Sequence, residues 1–532
     1  MLRLTNLRLP LGHDEAALRH AMAQRLGVEA DAVGEISVFK RSVDARGRKA
    51  IQLIYSVDVD LAGEREVLER LGDHPHVAPT PDTTYRWVAR APADFERRPV
   101  VIGTGPCGFF AGLVLAEMGF RPIILERGKA VRERTRDTFG LWRKRALNPE
   151  SNVQFGEGGA GTFSDGKLYS QIRDPQHRGR KVLTEFVAAG APAEILTVSK
   201  PHIGTFRLVK MVENLRAKIT SLGGEIRFNS RVADLHLEDG QVRGLRLASG
   251  EEIAADHVVL AIGHSARDTF QMLADRGVYL EPKPFSIGFR VEHPQTLIDK
   301  RRFGRHAGHP MLGAADYKLV HHASSGRSVY SFCMCPGGTV VAAASEAGRV
   351  VTNGMSQYSR SERNANAGIV VGITPEDYPG GPLAGVDFQR QWEARAFELG
   401  GGSYDAPGQL IGDFLAGRAS TAFERVVPSY TPGVRPTDLS GSLPDYAIQA
   451  IREAIPAFDR KIKGFAMRDA VLTAVETRTS APLRIRRGDD YQSLNTRGLY
   501  PAGEGAGYAG GILSAAVDGL AVGEAVARSL TG

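Results

Sequence analysis

Cysteine is scarce in this chain of 532 residues, which contains only Cys107, Cys333 and Cys335. Three cysteines do not make a disulfide framework, so the class of small, disulfide-stabilised secreted domains is excluded. The first residues lack a basic segment followed by an apolar one, and the sequence has no uninterrupted apolar run long enough to cross a bilayer. We therefore expect a cytoplasmic protein without a membrane partner.

A strong charge excess is absent as well. The chain carries 67 basic and 60 acidic residues, a formal net charge of +7 spread over its whole length. So small a positive excess is compatible with binding of an anionic ligand or of a nucleic acid, but it does not require either. The sequence has no internal repeat or low-complexity tract, and its 42% hydrophobic and 24% charged composition is typical of globular domains. Its length predicts about two to four such domains.

What the sequence does contain is a glycine-rich turn between two short apolar runs. The runs Val100–Ile102 and Ile123–Leu125 predict strands that are buried on both faces. Apolar residues at helical spacing in 109–118 predict a helix between them, which Gly119 ends. The second strand stops at an acidic residue, Glu126. The turn has the G-x-G-x-x-G spacing, and its residues are Gly103, Gly105, Pro106 and Gly108.

Each part of this unit has a physical role in binding a dinucleotide. Gly103 permits the tight turn, Gly105 lets the backbone approach a pyrophosphate, and Gly108 lets the helix pack closely on the strand. The helix N-terminus presents unpaired N–H groups and a positive dipole end to that pyrophosphate. Glu126 is placed to accept hydrogen bonds from a ribose hydroxyl. Strand, glycines, helix, strand and acid together predict a dinucleotide-binding fold.

Residues 1–75 predict a separate small α+β domain. Three runs of alternating apolar residues predict strands, and Asp14 can cap a helix in which apolar residues repeat every four positions. With a final short helix, the order βαββα suggests a ferredoxin-like sandwich. The sequence leaves open whether this domain binds RNA, a partner or the rest of its own chain. Residues 76–98, with several prolines and charges, predict a linker over the surface.

Later segments predict the rest of a parallel sheet and an inserted second domain. Residues 257–263 form an apolar run that ends in glycine, as a strand returning to a parallel sheet does. Short β-like runs from 278 to 372 predict a largely antiparallel insertion, the usual place for a substrate cavity. We expect an α/β fold with a dinucleotide-binding domain at 99–277, an inserted β-rich and helical substrate domain at 278–475, and the C-terminal part of the first domain at 476–532.

A second glycine cluster lies in residues 152–167. Gly156, Gly158 and Gly161 repeat the G-x-G-x-x-G spacing, but no buried strand leads into them and no strand ending in an acid follows. We interpret this cluster as backbone close to a ligand or to another backbone, and not as a second dinucleotide fingerprint. The basic segment 127–145 before it fits a solvated helix face or an approach to phosphate.

These elements together resemble the glutathione-reductase-type superfamily of FAD-binding flavoproteins, whose FAD domain is Rossmann-like. The resemblance implies that the first glycine turn binds the FAD pyrophosphate and that Glu126 binds its ribose. Val232 matches a valine whose backbone meets the adenine, and Ala261 with Gly263 match an A-x-G motif near the cofactor. Gly503-Glu504 resembles a late G-D motif that contacts ribityl or ribose hydroxyls, with glutamate here in place of aspartate.

A closer resemblance is to an uncharacterised bacterial family of FAD-dependent, or NAD(FAD)-utilising, dehydrogenases. It covers nearly the whole chain, including the N-terminal domain. It implies FAD as the cofactor. Because the sequence has no second dinucleotide fingerprint, either NADH or NADPH docks transiently in the insertion as the electron donor, or a substrate reduces the flavin directly. The motifs that carry this resemblance are Gly158–Lys167, Phe332–Gly338, Asn353–Ser356, Asn364–Asn366, Glu476–Thr479 and Gly503–Ile512.

Three functions stay open at this point. The one we favour is a FAD-dependent oxidoreductase that acts on an unidentified small molecule. The alternatives are a flavoprotein that acts on or binds RNA, suggested by the basic balance and the extra domain, and a non-enzymatic flavin-binding sensor or scaffold. The residues expected to bind the cofactor are Gly103, Gly105, Pro106, Gly108, Glu126, Arg127, Gly158, Gly159, Thr162, Val232, Ala261, Gly263, Gly503, Glu504, Gly511 and Ile512.

The catalytic candidates are Cys333, Cys335, Lys167 and Arg478. The cysteines form a C-x-C pair, which fits a redox disulfide or thiol relay beside the flavin, or plain packing in the substrate cavity. The two basic residues fit anion binding or ordinary salt bridges. His264 follows a cofactor-facing strand, either near the flavin or exposed. The other histidines lack ligand partners at metal-binding spacing, so no metal is expected.

Overall fold

The structure, a computed structural model, describes residues 1–47 and 50–532. It contains one five-stranded sheet that is entirely parallel, together with larger and smaller sheets that are mainly antiparallel. Helices cover these sheets, so the predicted mixture of α and β structure is confirmed.

The first 79 residues fold into a four-stranded antiparallel sheet and two helices. Its elements are β1 (Leu2–Pro10), α1 (Glu15–Leu26), β2 (Val33–Asp44), β3 (Gln52–Leu61), α2 (Glu64–Leu71) and β4 (Val77–Pro79). The strand order is β2-β3-β1-β4. Asp14 caps α1 as predicted, accepting a hydrogen bond from the Ala17 N–H at 2.8 Å. β4 pairs with β1, so the linker begins after Pro79 and not at residue 76 as expected.

The sheet face opposite α1 and α2 lies against the rest of the chain. The Arg3 guanidinium lies 3.6 Å from the centroid of the Phe39 ring on β2, and Arg180 lies 5.4 Å from the same centroid. The backbone N–H of Arg41 donates to the Thr197 carbonyl at 2.6 Å. The unit therefore docks on its own chain through the face that an α+β domain would otherwise offer to a partner.

The next segment alternates strands and helices and supplies four strands of the parallel sheet. Its elements are β5 (Val100–Ile102), α3 (Pro106–Glu117), β6 (Ile123–Leu125), α4 (Val131–Lys144), α5 (Arg178–Ala188), α6 (Thr205–Ser221), β7 (Glu225–Arg227), β8 (Val232–Glu238), β9 (Gln241–Leu247), β10 (Glu252–Ala254), β11 (Val258–Leu260) and α7 (Arg267–Asp275). The strand–helix–strand unit predicted at 99–126 is confirmed. The meander β8-β9-β10 packs on one face of the sheet, and a turn at Asp239-Gly240 joins β8 to β9.

The following segment is organised around a seven-stranded sheet. Its elements are β12 (Leu280–Pro282), β13 (Phe285–Pro294), α8 (Gln295–Phe303), β14 (Val320–His322), β15 (Ser328–Cys335), β16 (Gly338–Ala342), β17 (Thr352–Ser356), β18 (Asn364–Ile373), α9 (Ala384–Leu399), β19 (Ala406–Leu410), α10 (Ile411–Ala416), β20 (Val434–Pro436), α11 (Asp445–Lys461), β21 (Val471–Glu476) and β22 (Leu483–Ile485). The order is β14-β15-β18-β13-β21-β19-β20, and every pair except β19–β20 is antiparallel. The predicted largely antiparallel segment is confirmed.

Two further elements complete the first sheet, namely β23 (Leu499–Pro501) and α12 (Ile512–Thr531). β23 pairs with β11, so the parallel order is β23-β11-β5-β6-β7. Glycines let α12 approach α3 closely, since a Cβ at Gly519 would lie 2.0 Å from the Cys107 carbonyl oxygen. β12 and β22, which lead into and out of the seven-stranded unit, pair side by side.

Candidate active site

A cavity of about 770 Å³ lies between the parallel sheet and the seven-stranded sheet. One wall is formed by residues that directly follow β5, β6, β11 and β23, among them Gly103, Glu126 and Ala261. The facing wall includes residues 330–334 of β15. In open α/β sheets, ligands bind beyond the carboxyl ends of the strands. The cavity therefore occupies the edge at which a parallel sheet binds its ligands.

The turn after β5 is shaped by two glycines with different surroundings. Gly103 has a φ of +103°, and a Cβ there would lie 2.3 Å from the Ala261 carbonyl oxygen. A Cβ on Gly105 would meet nothing nearer than the Gly159 Cα at 3.7 Å, so the space in front of Gly105 opens into the cavity. α3 begins at Pro106 without a side-chain cap, which leaves its first N–H groups available to an anion.

Glu126 ties this turn to the neighbouring loops. Its Oε2 accepts hydrogen bonds from the Thr104 backbone N–H at 3.0 Å and from the Thr104 hydroxyl at 2.6 Å. Its Oε1 accepts from the backbone N–H groups of Gly128 at 2.8 Å and Gly156 at 3.0 Å. A carboxylate offers about four acceptor positions, and the chain itself uses four. A ribose hydroxyl at Glu126 would therefore share an acceptor position with the backbone.

Arg134 of α4 organises the second glycine cluster, a role that the sequence analysis missed. The side chain is completely buried and donates to the backbone carbonyls of Asn152 at 2.8 Å, Val153 at 2.8 Å and Glu157 at 2.6 Å. Burial lowers the pKa of Arg134 to about 10. A signal was present, because Arg134 lies three residues after the buried Val131, within the apolar stripe of its helix.

The second glycine cluster lies against other backbone, as expected from its glycine density. A Cβ at Gly159 would lie 2.7 Å from the Gly105 Cα, and a Cβ at Gly128 would lie 2.6 Å from the Gly156 Cα. The cluster therefore packs directly on the first glycine turn and forms part of the cavity wall through Gly156, Gly159 and Gly161.

Four of the sixteen residues expected to bind the cofactor lie behind the cavity wall. Gly108 packs α3 on the turn, since a Cβ there would lie 1.9 Å from the Gly103 carbonyl oxygen. Gly158 and Thr162 face a small apolar cleft near α6, and Gly503 packs on the Cys107 side chain. The other twelve line the cavity: Gly103, Gly105, Pro106, Glu126, Arg127, Gly159, Val232, Ala261, Gly263, Glu504, Gly511 and Ile512.

Three of the four catalytic candidates come together at the wall formed by β15. Lys167 Nζ lies 3.0 Å from an Asp165 carboxylate oxygen and 3.8 Å from Cys335 Sγ. Arg360 also binds Asp165, through its Nε at 3.0 Å and its Nη2 at 2.5 Å. Burial opposes ionisation of Asp165, but Lys167 and Arg360 outweigh it and lower its pKa to about 2. Cys333 and Lys167 line the cavity, with Cys335 buried next to them.

Arg478, the fourth candidate, is held in a buried ion network. It donates from Nε and Nη2 to the two carboxylate oxygens of Glu393, each at 3.0 Å. Arg267 binds the same carboxylate from α7 at 2.7 and 2.9 Å. Burial opposes ionisation of Glu393, but the two arginines lower its pKa well below the ordinary value. Arg478 lines the cavity, but its guanidinium is already paired with the Glu393 carboxylate. This pairing agrees with an ordinary salt bridge, one of the two interpretations that the sequence left open for Arg478.

Two further titratable groups face the cavity from the parallel sheet. Burial raises the pKa of Glu504 to about 7, with Lys283 opposing this effect. Within the described chain no group donates a hydrogen bond to its carboxyl. His264 also lines the cavity, and burial followed by the charges of Arg478 and Arg267 lowers its pKa to about 3. A neutral His264 and a readily protonated Glu504 thus lie on the same wall.

Across residues 1–47 and 50–532, no three histidine, cysteine or carboxylate residues come together in an arrangement that could hold a metal ion. None of the helices in the described chain is long and apolar enough to cross a bilayer.

Sequence comparison adds three matches to families and one close relative. The C-terminal domain-like region of FAD-dependent proteins matches residues 284–479, and the FAD dependent oxidoreductase family matches residues 197–317. A domain of unknown function matches residues 1–60. An uncharacterized protein of Clostridium beijerinckii is 47% identical over 525 residues, which cover 98% of this chain and 98% of that protein.

Solved structures show more distant likenesses. The flavin-dependent brominase Bmp2 is 13% identical, with a TM-score of 0.36 over 82% of this chain and 80% of its own. A 3-ketosteroid-Δ4-(5α)-dehydrogenase from Rhodococcus jostii RHA1 is 13% identical, with a TM-score of 0.35 over 84% of this chain and 99% of its own. Likenesses this distant carry no argument about function.

The parallel-sheet cavity and the two FAD families define the class of this protein, a FAD-dependent oxidoreductase. Its cofactor is FAD, and it is an enzyme. Within this class, the chain belongs to the same family as the Clostridium beijerinckii protein, which it matches over almost the whole of both chains.

Proposed function

We propose that the pyrophosphate of FAD binds at Gly103–Pro106 and the first turn of α3. The observation that carries this proposal is the open space in front of Gly105, next to helix N–H groups that no side chain caps. Glu126 then meets the ribose through a shared acceptor position, and Val232 meets the adenine. When bound, FAD supplies the two-electron chemistry of its isoalloxazine ring, and the chain supplies binding, orientation and charge.

The architecture supports a finer division into three units. Residues 1–79 are a ferredoxin-like unit, since their order βαββαβ and strand order β2-β3-β1-β4 are those of that sandwich. Residues 99–277 and 486–532 are a Rossmann-like FAD domain of the glutathione-reductase type. Residues 278–485 are the substrate domain, whose first and last strands, β12 and β22, pair with each other.

A second opening of about 680 Å³ is the proposed route for the small-molecule substrate. Tyr330, Phe332 and Thr479 line both this opening and the main cavity, so the two spaces share a wall. The Tyr330 hydroxyl lies 2.7 Å from Ser286 Oγ. This hydrogen bond holds the Tyr330 ring in the wall between the two spaces. A substrate entering here would approach the cavity from the side opposite to the glycine turn, without displacing the cofactor.

The electron donor is either NADH or NADPH, docking transiently in the substrate domain, or the substrate itself. Anaerobic titration of the purified holoenzyme with NADH and NADPH distinguishes these cases through the loss of the visible absorbance of the flavin. A nicotinamide donor bleaches the flavin, whereas a flavin that is reduced only by the substrate stays oxidised in the presence of either nucleotide. Purified protein without flavin absorbance that also fails to bind added FAD contradicts the proposal. If only dithionite bleaches the bound flavin, the nicotinamide part of it fails.

A further inference from the structure

The strand β15 is irregular where its two cysteines lie. Phe332 pairs with Gly368 and Cys335 pairs with Asn366, so β15 has one more residue between these pairs than β18 has. Such a β-bulge bends the strand, and bulges are enriched next to active sites. Cys333 lies in the bulge with a φ of +39°, a left-handed conformation that is uncommon for residues other than glycine.

The bulge brings the two thiols together. In a regular strand, side chains two positions apart share a face at a Cα separation of about 6.7 Å, near the upper limit for a disulfide. Here the thiols of Cys333 and Cys335 are in hydrogen-bonding contact. Cys335 Sγ also donates to the Cys333 carbonyl at 3.4 Å. The bulge therefore turns the Cys335 thiol back against Cys333.

Two buried cations lie beside this pair. Lys167 Nζ is 3.8 Å from Cys335 Sγ, and the completely buried Arg290 donates to the Cys333 carbonyl at 2.9 Å. The hydrogen bond from Cys335 and the charges of Lys167 and Arg290 hold the pKa of Cys333 well below its ordinary value, against the effect of burial. That hydrogen bond and burial raise the pKa of Cys335. A thiolate is the nucleophile in thiol–disulfide exchange, so Cys333 is the more reactive sulfur.

The two cysteines also differ in how accessible they are from the cavity. Cys333 is half-buried and lines the main cavity, whereas Cys335 is completely buried behind it. An accessible, acidic thiol backed by a buried partner is the arrangement of an attacking and a resolving cysteine. Cysteines that serve only in core packing are normally surrounded by apolar side chains and carry an ordinary or raised pKa.

We propose that Cys333 and Cys335 form a redox-active dithiol that exchanges an electron pair with FAD in the cavity and with a low-molecular-weight thiol or disulfide substrate. This inference rests on the proposed position of FAD. In the oxidising step the Cys333 thiolate and the Cys335 sulfur form one S–S bond as the Cys335 S–H bond breaks; the electron pair and that proton pass to FAD. In exchange with substrate, Cys333 forms a mixed disulfide as one substrate thiolate leaves, and Cys335 then displaces the other.

Counting electrons tests this proposal independently of turnover. The FAD-loaded enzyme is oxidised and then titrated anaerobically with dithionite, while flavin absorbance is followed. FAD with a disulfide takes up about four electrons, and FAD alone takes up about two. We expect about four for the wild type and about two for C333S, C335S and the double variant. Met334→Leu changes the residue between the two cysteines and leaves both thiols in place, so this control should still take up about four electrons.

Thiol labelling gives a second readout. Iodoacetamide added to the anaerobically denatured enzyme should label one cysteine, Cys107, in the oxidised wild type and three after reduction. Uptake of two electrons by the wild type, with three labelled cysteines in both states, overturns the proposal and leaves the proposed function intact. A wild type that binds no FAD contradicts the proposed function instead. A variant that loses its FAD is judged by its labelling alone.

Discussion

Gly103 and Gly105 are glycines for different physical reasons. A methyl group on Gly103 would collide with the Ala261 carbonyl oxygen, and its φ of +103° is unfavourable for any other residue. Gly105 has an ordinary φ of −70°, and a methyl group there would meet no protein atom closer than 3.7 Å. Gly103 is therefore required for the turn to fold, whereas Gly105 keeps the cavity in front of the turn open to a ligand.

Gly105→Ala tests the position of the pyrophosphate. We expect the apo-protein to keep its thermal stability and the affinity for FAD to fall at least tenfold, about 1.4 kcal/mol, because the methyl group occupies the space of the ligand. Calorimetric titration with FAD and melting of the apo-protein measure the two effects. Gly372→Ala, where the new Cβ meets nothing within 4 Å, is the control and should bind FAD normally. Unchanged FAD affinity in Gly105→Ala would rule out this binding position.

Arg134→Met tests the buried arginine behind the second glycine cluster. Removing the guanidinium leaves at least three buried carbonyl groups without their donor, which should destabilise the protein by about 2–4 kcal/mol and lower its FAD content. Urea denaturation measures the loss. Arg136→Met lies on the exposed face of the same helix and should change stability by less than about 0.5 kcal/mol. Equal effects of the two substitutions would contradict the assigned role.

Glu504 should give the apo-protein a specific pH dependence. Its folded pKa of about 7 lies above the ordinary value of 4.5, so between these values the folded state holds a proton that the unfolded chain has lost. This group therefore contributes stability at low pH that is lost as the pH rises through 7, by at most about 1.4 kcal/mol per pH unit. Glu504→Gln should flatten the stability profile from pH 5 to 7 relative to wild type. Parallel profiles would contradict the raised pKa.

At the scale of elements, the contact between α3 and α12 positions the glycine turn. Because the Cys107 carbonyl belongs to the first turn of α3, any displacement of α12 reaches the cavity wall directly. Contact through glycine leaves no flexible side chain that could absorb such a displacement.

Gly519→Ala tests this contact. The new Cβ would lie 2.0 Å from a backbone oxygen, so the two helices must separate, and we expect a loss of about 1–3 kcal/mol together with weaker FAD retention. Gly140→Ala on α4 has 3.5 Å of room to its nearest neighbour and should be neutral or stabilising by up to about 1 kcal/mol. Thermal melts and the flavin absorbance of the purified variants provide the comparison. A neutral Gly519→Ala would show that the helices are not tightly apposed.

Elements whose pattern is local could be predicted from the sequence, and those defined by distant partners could not. The unit β5-α3-β6 follows from apolar runs, glycines and a terminal acid within 27 consecutive residues, 100–126. β4 is only three residues long and exists because β1 offers it an edge. The bulge at Cys333 depends on pairing with β18, more than 30 residues later, so the contact between the two thiols could not be read from C-x-C spacing.

At the scale of the whole molecule, the N-terminal unit is joined to the body through its own sheet. Residues 80–98, all of them described, form no helix or strand, so the docking rests on contacts such as that of Phe39 with Arg180 and the backbone hydrogen bond from Arg41 to Thr197. This sheet face is therefore occupied, at Phe39 and Arg41, by the protein's own residues. The composition alone could not show this, since a net charge of +7 says nothing about which face of the unit is covered.

Phe39→Ala should loosen this docking. Loss of the cation–π contact with Arg180, worth about 0.5–2 kcal/mol, should speed proteolytic cleavage within residues 80–98 while leaving the FAD content unchanged. Limited trypsinolysis followed by mass spectrometry locates and times the cut. Val43→Ala removes a side chain that is exposed on the same strand and should leave the cleavage rate as in wild type. Equal cleavage of the two variants would mean that other contacts hold the unit.

The strand order of the parallel sheet also constrains when the protein becomes competent during its synthesis. β11 ends at Leu260, and its outer neighbour β23 begins only at Leu499, roughly 240 residues later. At about 5–20 residues per second, the ribosome needs about 12–48 s to make the intervening chain. Throughout that interval the nascent domain carries an open, apolar strand edge, and the helix that backs the glycine turn does not yet exist. Cofactor loading therefore waits for residues 499–531, and the emerging chain depends on protection of that edge until β23 and α12 arrive.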